Sequence, residues 1–252
     1  MRKPIRAIEP KTVSTMLFCR PFVALALAAC SSSAPYATTT GELAPNTTIT
    51  VSAKDSTIEI YRPAQGDPTR RFTVSATSRL NATPPAAPTI RRAGNGIVIT
   101  AENALDRLLL RVPDRVNVVV QDTRGNVSVT GISGNADVTT QAGDVRIELA
   151  GYAQASTGSG HLSVTFGASE WPGTLKFSNG DGDVEVYVIE TTRFRVHLHT
   201  GDGTLFSDFG LRGSARGKAE TIDGAVNGGG TQGIDIETKR GTIRLLRLAP
   251  QA

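Results

Sequence analysis

Asp181, Asp202 and Asp223 each stand immediately before a glycine and follow one another at intervals of 21 residues. Carboxylates on glycine-rich turns can hold calcium, and they are also favoured turn residues. If each turn stacks on the next in sequence, the three carboxylates form a column with a spacing of about 4.8 Å. Like charges that close repel unless they bond backbone N–H groups, face water or share a cation. Turn capping is the expected role of all three, with a shared calcium ion as the alternative. His197 and His199 are alternate residues of the run "RVHLHT" and therefore share one strand face, a spacing that suits two metal ligands. Stacked on their sequence neighbours, they lie beside Lys176 and Ser178 on one side and Lys218 and Glu220 on the other. Two lysines oppose a cation, so the histidines are expected to be surface residues. His161 belongs to the other strand series and offers no third ligand. The chain has no Ser-His-Asp order, no G-x-S-x-G elbow and no nucleotide-binding glycine loop leading into a helix. Paired surface carboxylates would suit a polysaccharide lyase or hydrolase, but short coils without a large insertion leave little groove for one. No catalytic residue, no metal and no cofactor is expected.

The elements that position these residues follow from a repeat. Glycine is followed two, and usually four, residues later by an apolar side chain, at Gly125, Gly143, Gly160, Gly182, Gly203, Gly224 and Gly241. The spacings are 18, 17, 22, 21, 21 and 17 residues. From the second glycine onward, a further alternating segment lies nine residues upstream. Its inward pairs are expected at Ala136/Val138, Ala153/Ala155, Leu175/Phe177, Val196/Leu198, Gly217/Ala219 and Ile234/Ile236. Two short alternating strands per unit, joined by glycine turns, describe an all-β, single-stranded β-solenoid of about seven coils. Propeller blades need about 40–50 residues each and do not fit this spacing. The solenoid is assigned to residues 116–248. In residues 46–115 glycine does not recur on that schedule, and "NATPPAAP" interrupts the strands. A small antiparallel β unit that covers the solenoid's first open edge is expected there. At the other end, Pro250 cannot donate to another rung.

The N-terminal residues carry an address. Arg2, Lys3, Arg6, Lys11 and Arg20 precede the apolar run "FVALALAA", which is too short to span a bilayer but has the length of a signal-peptide core. Residues 1–29 are expected to be a signal peptide, with Met16 an alternative start, and residues 30–45 a flexible tether rich in serine and threonine. That segment accounts for the whole formal charge of +4, leaving 22 of the 27 basic and 22 of the 23 acidic residues in a neutral mature chain. The basic pI therefore gives no ground for nucleic-acid binding. Leu27, Ala28, Ala29 and Cys30 resemble the lipobox of bacterial lipoproteins. The resemblance implies cleavage before Cys30, diacylglycerol on its thiol and acylation of the new amine. With Cys19 removed and Cys30 lipidated, no thiol remains for a disulfide or for zinc. Ser31, in place of an aspartate, favours the outer membrane, with the chain facing the periplasm or the surface.

The run "LRVPDRVNVVVQDTRGNVSVTGISGNADVTTQAGDVRI", with "STGSGHLSV", "SNGDGDVEV" and "HTGDGTLF" after it, resembles the DUF4097 putative-adhesin family. The resemblance covers roughly residues 45–248, and the pattern degrades after Gly224, where Asn227 and Gly228 break the alternation. It implies a β-solenoid on an exported or membrane-tethered protein and no enzymatic activity. The function expected is that of an interaction or structural module with a protein or polysaccharide ligand. A carbohydrate-active enzyme is the alternative.

Overall fold

A computed structural model describes residues 36–63, 70–77, 87–101 and 105–249. The signal segment, the lipobox and Cys30 lie outside the described residues, as does most of "NATPPAAP". Strands begin with β1 (Tyr36–Glu42), β2 (Thr48–Ala53), β3 (Thr57–Tyr61), β4 (Arg71–Thr77), β5 (Thr89–Ala93), β6 (Gly96–Ala101) and β7 (Arg107–Arg111). They continue with β8 (Asn117–Arg124), β9 (Val127–Ile132), β10 (Ala136–Ala142), β11 (Val145–Leu149), β12 (Ala153–Ser159), β13 (Leu162–Phe166) and β14 (Thr174–Asp181). The last are β15 (Val184–Ile189), β16 (Phe194–Thr200), β17 (Leu205–Ser207), β18 (Ser214–Arg216), β19 (Ala219–Val226), β20 (Gly233–Arg240) and β21 (Ile243–Leu248). No helix occurs among the described residues.

These strands form two sheets. One is 10-stranded in the order β1-β4-β7-β3-β9-β11-β13-β15-β21-β17. The other is 11-stranded in the order β18-β19-β16-β20-β14-β12-β10-β8-β2-β6-β5. Period-2 burial makes them the two walls of one core, with Val127, Val145, Leu162, Val184 and Ile243 stacked in a single buried column. The inward pairs from Ala136/Val138 to Val196/Leu198, and Ile234/Ile236, are buried as their alternation predicts. Phe166, Trp171, Phe177, Phe194 and Phe209 add an aromatic chain at one margin, with ring centroids 5.6–6.1 Å apart. The chain is an all-β solenoid.

The stacking order departs from the sequence order at both ends. β2 and β3 lie between β6/β7 and β8/β9, and all of these pairings are parallel. The antiparallel unit expected over 46–115 is therefore corrected: its strands are largely rungs of the solenoid itself. Antiparallel pairing is confined here to β1 on β4, β4 on β7 and β5 on β6. Residues 36–42 of the expected tether form β1. At the far end β20/β21 insert between β14/β15 and β16/β17. The last strands in sequence are thus not the last in space. Gly217, Ala219 and Gly224 belong to the antiparallel β18–β19 return rather than to a coil, and Gly217 is exposed. Positive φ at Asn227, Gly228 and Gly229 then turns the chain from β19 into β20. Three of the four outermost strands are short or charged: β17 and β18 have three residues each, and β5 exposes Arg91 and Arg92. Both devices discourage edge-to-edge pairing with another chain.

A second column explains the threonine of the repeat. Asp122, Thr140, Thr157, Asn179, Thr238 and Thr200 are adjacent in register and all buried. Thr157 donates to the carbonyls of Gly143 and Ser159, Thr238 to those of Gly182 and Arg240, and Asn179 to that of Gly160. A side-chain donor at this position satisfies the turn carbonyls of Gly143, Gly160 and Gly182. It also reaches those of Ser159 and Arg240, which already accept from the Gly143 and Gly182 N–H groups. Asp122 puts a carboxylate where the column uses a donor, and its Oδ2 has no hydrogen-bond partner. Burial, with a smaller contribution from the Asp55 charge, pushes its carboxyl up to about 6, against the Thr123 N–H that it accepts. The folded chain therefore binds this proton more tightly than the unfolded chain does. The contribution of Asp122 to stability is greatest below the ordinary carboxylate range and falls as pH rises through it towards about 6, by on the order of 2–3 kcal/mol. Asp122→Asn, which restores a donor, is expected to stabilise by roughly 1–3 kcal/mol at pH 7.5 and to have little effect at pH 4. Urea unfolding at the two pH values measures this, and a pH-independent difference would show that the carboxylate is satisfied.

Candidate functional site

The turn aspartates do not form an acidic column. Insertion of β20/β21 places Arg240 between the coils of Asp181 and Asp202, and Arg240 Nη2 lies 2.6 Å from Asp181 Oδ2. Asp202 pairs with Lys218 at 2.9 Å, and Asp223 sits on antiparallel β19 with its Oδ1 2.7 Å from His197 Nδ1. Each of the three has its own basic partner. The residues after the glycines form a hydrogen-bonded ladder between coils. Asn126 accepts from the Asp144 N–H, Asp144 from that of His161, and Asp183 from that of Thr242. These Asx side chains join successive turns.

The histidines have different neighbours from those expected. β16 is flanked by β20 and β19, so His197 lies between Asp235 and Asp223, and His199 between Glu237 and Thr221. Lys176 is one strand further away, in register with Asp235, and Lys218 is engaged with Asp202. The reason is topological: a coil distant in sequence separates β16 from β14. One nitrogen of His197, one oxygen of Asp235 and one of Glu237 all lie within 4.8 Å of one another. His199 Nδ1 is 3.0 Å from Thr221 Oγ1. The bond to Asp223 raises the His197 pKa above its ordinary value, with burial opposing, and the charges of Asp223, Asp235 and Glu237 add to the rise. Beside this group Thr174, Arg195, Gly233 and Asp235 line a shallow cleft of about 380 Å³. Gly233 is buried, and the Thr174 side chain packs where its Cβ would stand. His161 is in the other series, its ring 3.7 Å from Glu185.

Asp235 and Glu237 are legible in the sequence as outward residues, because Ile234 and Ile236 alternate with them. Their proximity to His197 is not, since it depends on which coil stacks on β16.

The family model for Toastrack DUF4097 matches residues 111–246. The chain belongs to the DUF4097 family. The matched span runs from the end of β7 into β21 and so includes the inserted coil and the His197 cluster. No curated protein matches this sequence. Among solved structures, the chain is similar to a putative cell adhesion protein from Clostridium sporogenes ATCC 15579, at 9% identity and a TM-score of 0.43, covering 84% of this chain and 100% of that one. It is also similar to a putative adhesin from Bacteroides fragilis NCTC 9343, at 10% identity and a TM-score of 0.31, covering 85% and 99%.

Proposed function

We propose that this DUF4097 protein is a lipid-tethered, exported module that displays a rigid β-solenoid for non-catalytic interaction at the bacterial cell envelope. The observation that carries the reading is what the repeat's polar residues do. The turn carboxylates, threonines and asparagines that could have served chemistry hold coil to coil, as in Asp183 to Thr242 and Thr157 to Gly143. A scaffold built this way presents long, regular polar faces, on which a protein or polysaccharide chain can lie across several rungs. The signal-like segment and Cys30 supply the tether. Two acyl chains and an N-acyl group hold a protein far more firmly than one chain does.

Two measurements test the proposal. Cys30→Ser is expected to abolish metabolic labelling with a fatty-acid analogue and to leave unprocessed precursor. Labelling that persists in the variant overturns the tether. The full chain in detergent is then assayed against cell-wall and plant polysaccharides and envelope proteins. Saturable binding without turnover is the expected result, whereas turnover of a polysaccharide would make the protein a carbohydrate-active enzyme.

A further inference from the structure

We propose that the outer face of the 11-stranded sheet at His197 binds a divalent transition-metal ion of the zinc class. His197, Asp235 and Glu237 are its protein ligands, and Asp223 is the residue that positions the imidazole. Three donor atoms, one from each ligand, already lie within 4.8 Å of one another on neighbouring strands β16 and β20. That proximity is fixed by parallel backbone pairing rather than by a loop, so the three donors are presented on a rigid surface.

The individual groups support the assignment. Asp223 engages His197 Nδ1 at 2.7 Å, which fixes the ring orientation and leaves the Nε2 lone pair as the free donor. A carboxylate on the distal nitrogen is the usual support of a metal-bound histidine. Asp235 Oδ1 is shielded from solvent and has no hydrogen-bond partner. A carboxylate oxygen in that state is costly unless something else satisfies it, and a cation would do so. Asp235 and His197 both line the cleft of about 380 Å³, so an ion can reach them from solvent. Asp223, Asp235 and Glu237 supply three negative charges in this patch against Lys176 and Arg195, so a doubly charged ion is electrostatically welcome. An imidazole nitrogen in the set favours zinc and its neighbours over calcium or magnesium, which take oxygen ligands. Three protein ligands leave a coordination position for water or for a donor group on a bound partner.

The site is independent of the lipid tether, so each can fail alone. The test uses the untagged full chain in detergent, stripped with a chelator and titrated with zinc chloride by calorimetry. Saturation at one zinc per chain is expected, with no saturable heat from calcium or magnesium at the same concentration. Asp235→Asn and His197→Gln are expected to remove the saturable binding, and Asp223→Asn to weaken it roughly 10–100-fold. His161→Gln, on the other sheet, should bind as the parent does. Thermal melts separate ligand loss from misfolding. Zinc should raise the melting temperature of the parent and not of Asp235→Asn, whose metal-free melt should equal or exceed the parent's. Absence of saturable zinc binding, or binding that Asp235→Asn leaves unchanged, overturns the proposal. Equal saturation by calcium overturns the assigned class of ion.

Discussion

Val184→Asp is expected to abolish cooperative folding at neutral pH. Val184 is fully buried in the column between Leu162 and Ile243, so each of its faces meets an apolar side chain of the adjoining coil. The substitution removes a burial contribution of about 1.5–3 kcal/mol and adds a desolvated carboxylate with no basic group in the column. Together these approach the 5–15 kcal/mol by which a domain is typically stable. Val184→Ala removes only volume and should cost about 2 kcal/mol, giving a measurable intermediate case. Lys239→Gln is the outward control, since Lys239 is exposed, and should stay within about 0.5 kcal/mol. Glu185 would be a poor control despite facing outward: it accepts hydrogen bonds from Arg244 Nη1 at 3.0 Å and from the Tyr187 hydroxyl at 3.1 Å. Urea unfolding followed by circular dichroism ranks the variants. If Val184→Asp melted like Lys239→Gln, the inward assignment of this strand would be wrong.

The contrast between Val184 and Lys239 rests on a pattern legible in the sequence. Alternation tells inside from outside because successive strand residues point to opposite faces. The glycine schedule marks the turns because only certain backbone shapes close them. Stacking order is a different kind of information. β16 can pair equally well, by its own alternation, with β14 or β20, since Leu175/Phe177 and Ile234/Ile236 offer equivalent apolar pairs. The choice is made by the chain's path: β19 runs antiparallel on β16, and the turn at Asn227–Gly229 returns β20 to its other side. The same ambiguity hides the rungs formed by β2, β3, β6 and β7, whose turns lack the glycine of the later coils. Adjacency in space does not follow adjacency in sequence here, so Arg240 intervenes where sequence order alone builds an acidic column. The same rerouting conceals the His197 cluster, whose members are separated by up to 40 residues in sequence. Asp122 is visible in sequence only as a departure from the threonine expected at its place in the repeat.

Gly160→Ala tests the stacking order directly, because it depends on what lies above and below one turn. Gly160 has a φ of +126°, a conformation that side chains rarely adopt. A Cβ there would press into the carbonyl of Gly143 and approach the Asp144 backbone nitrogen in the adjoining coil. Neither obstacle is a flexible side chain that could move away. A Cβ on Gly182 would in turn meet the Gly160 carbonyl, so displacement of this turn would be passed along the column. The coils are also tied by the hydrogen bonds from Gly143 N–H to the Ser159 carbonyl and from Gly160 N–H to the Asp181 carbonyl, at 2.9 and 3.0 Å. Strained backbone and overpacking together should cost roughly 2–6 kcal/mol. Gly173→Ala provides the comparison: its φ is +71°, but a Cβ there would have nothing within 4 Å, so only the conformational cost of about 1–2 kcal/mol applies. The excess loss in Gly160→Ala combines contact between coils with the greater backbone strain at φ +126° than at +71°. Equal losses in the two variants, by thermal or urea unfolding, would mean that the turn at Gly160 is open to solvent and that the glycine column does not pack coil on coil.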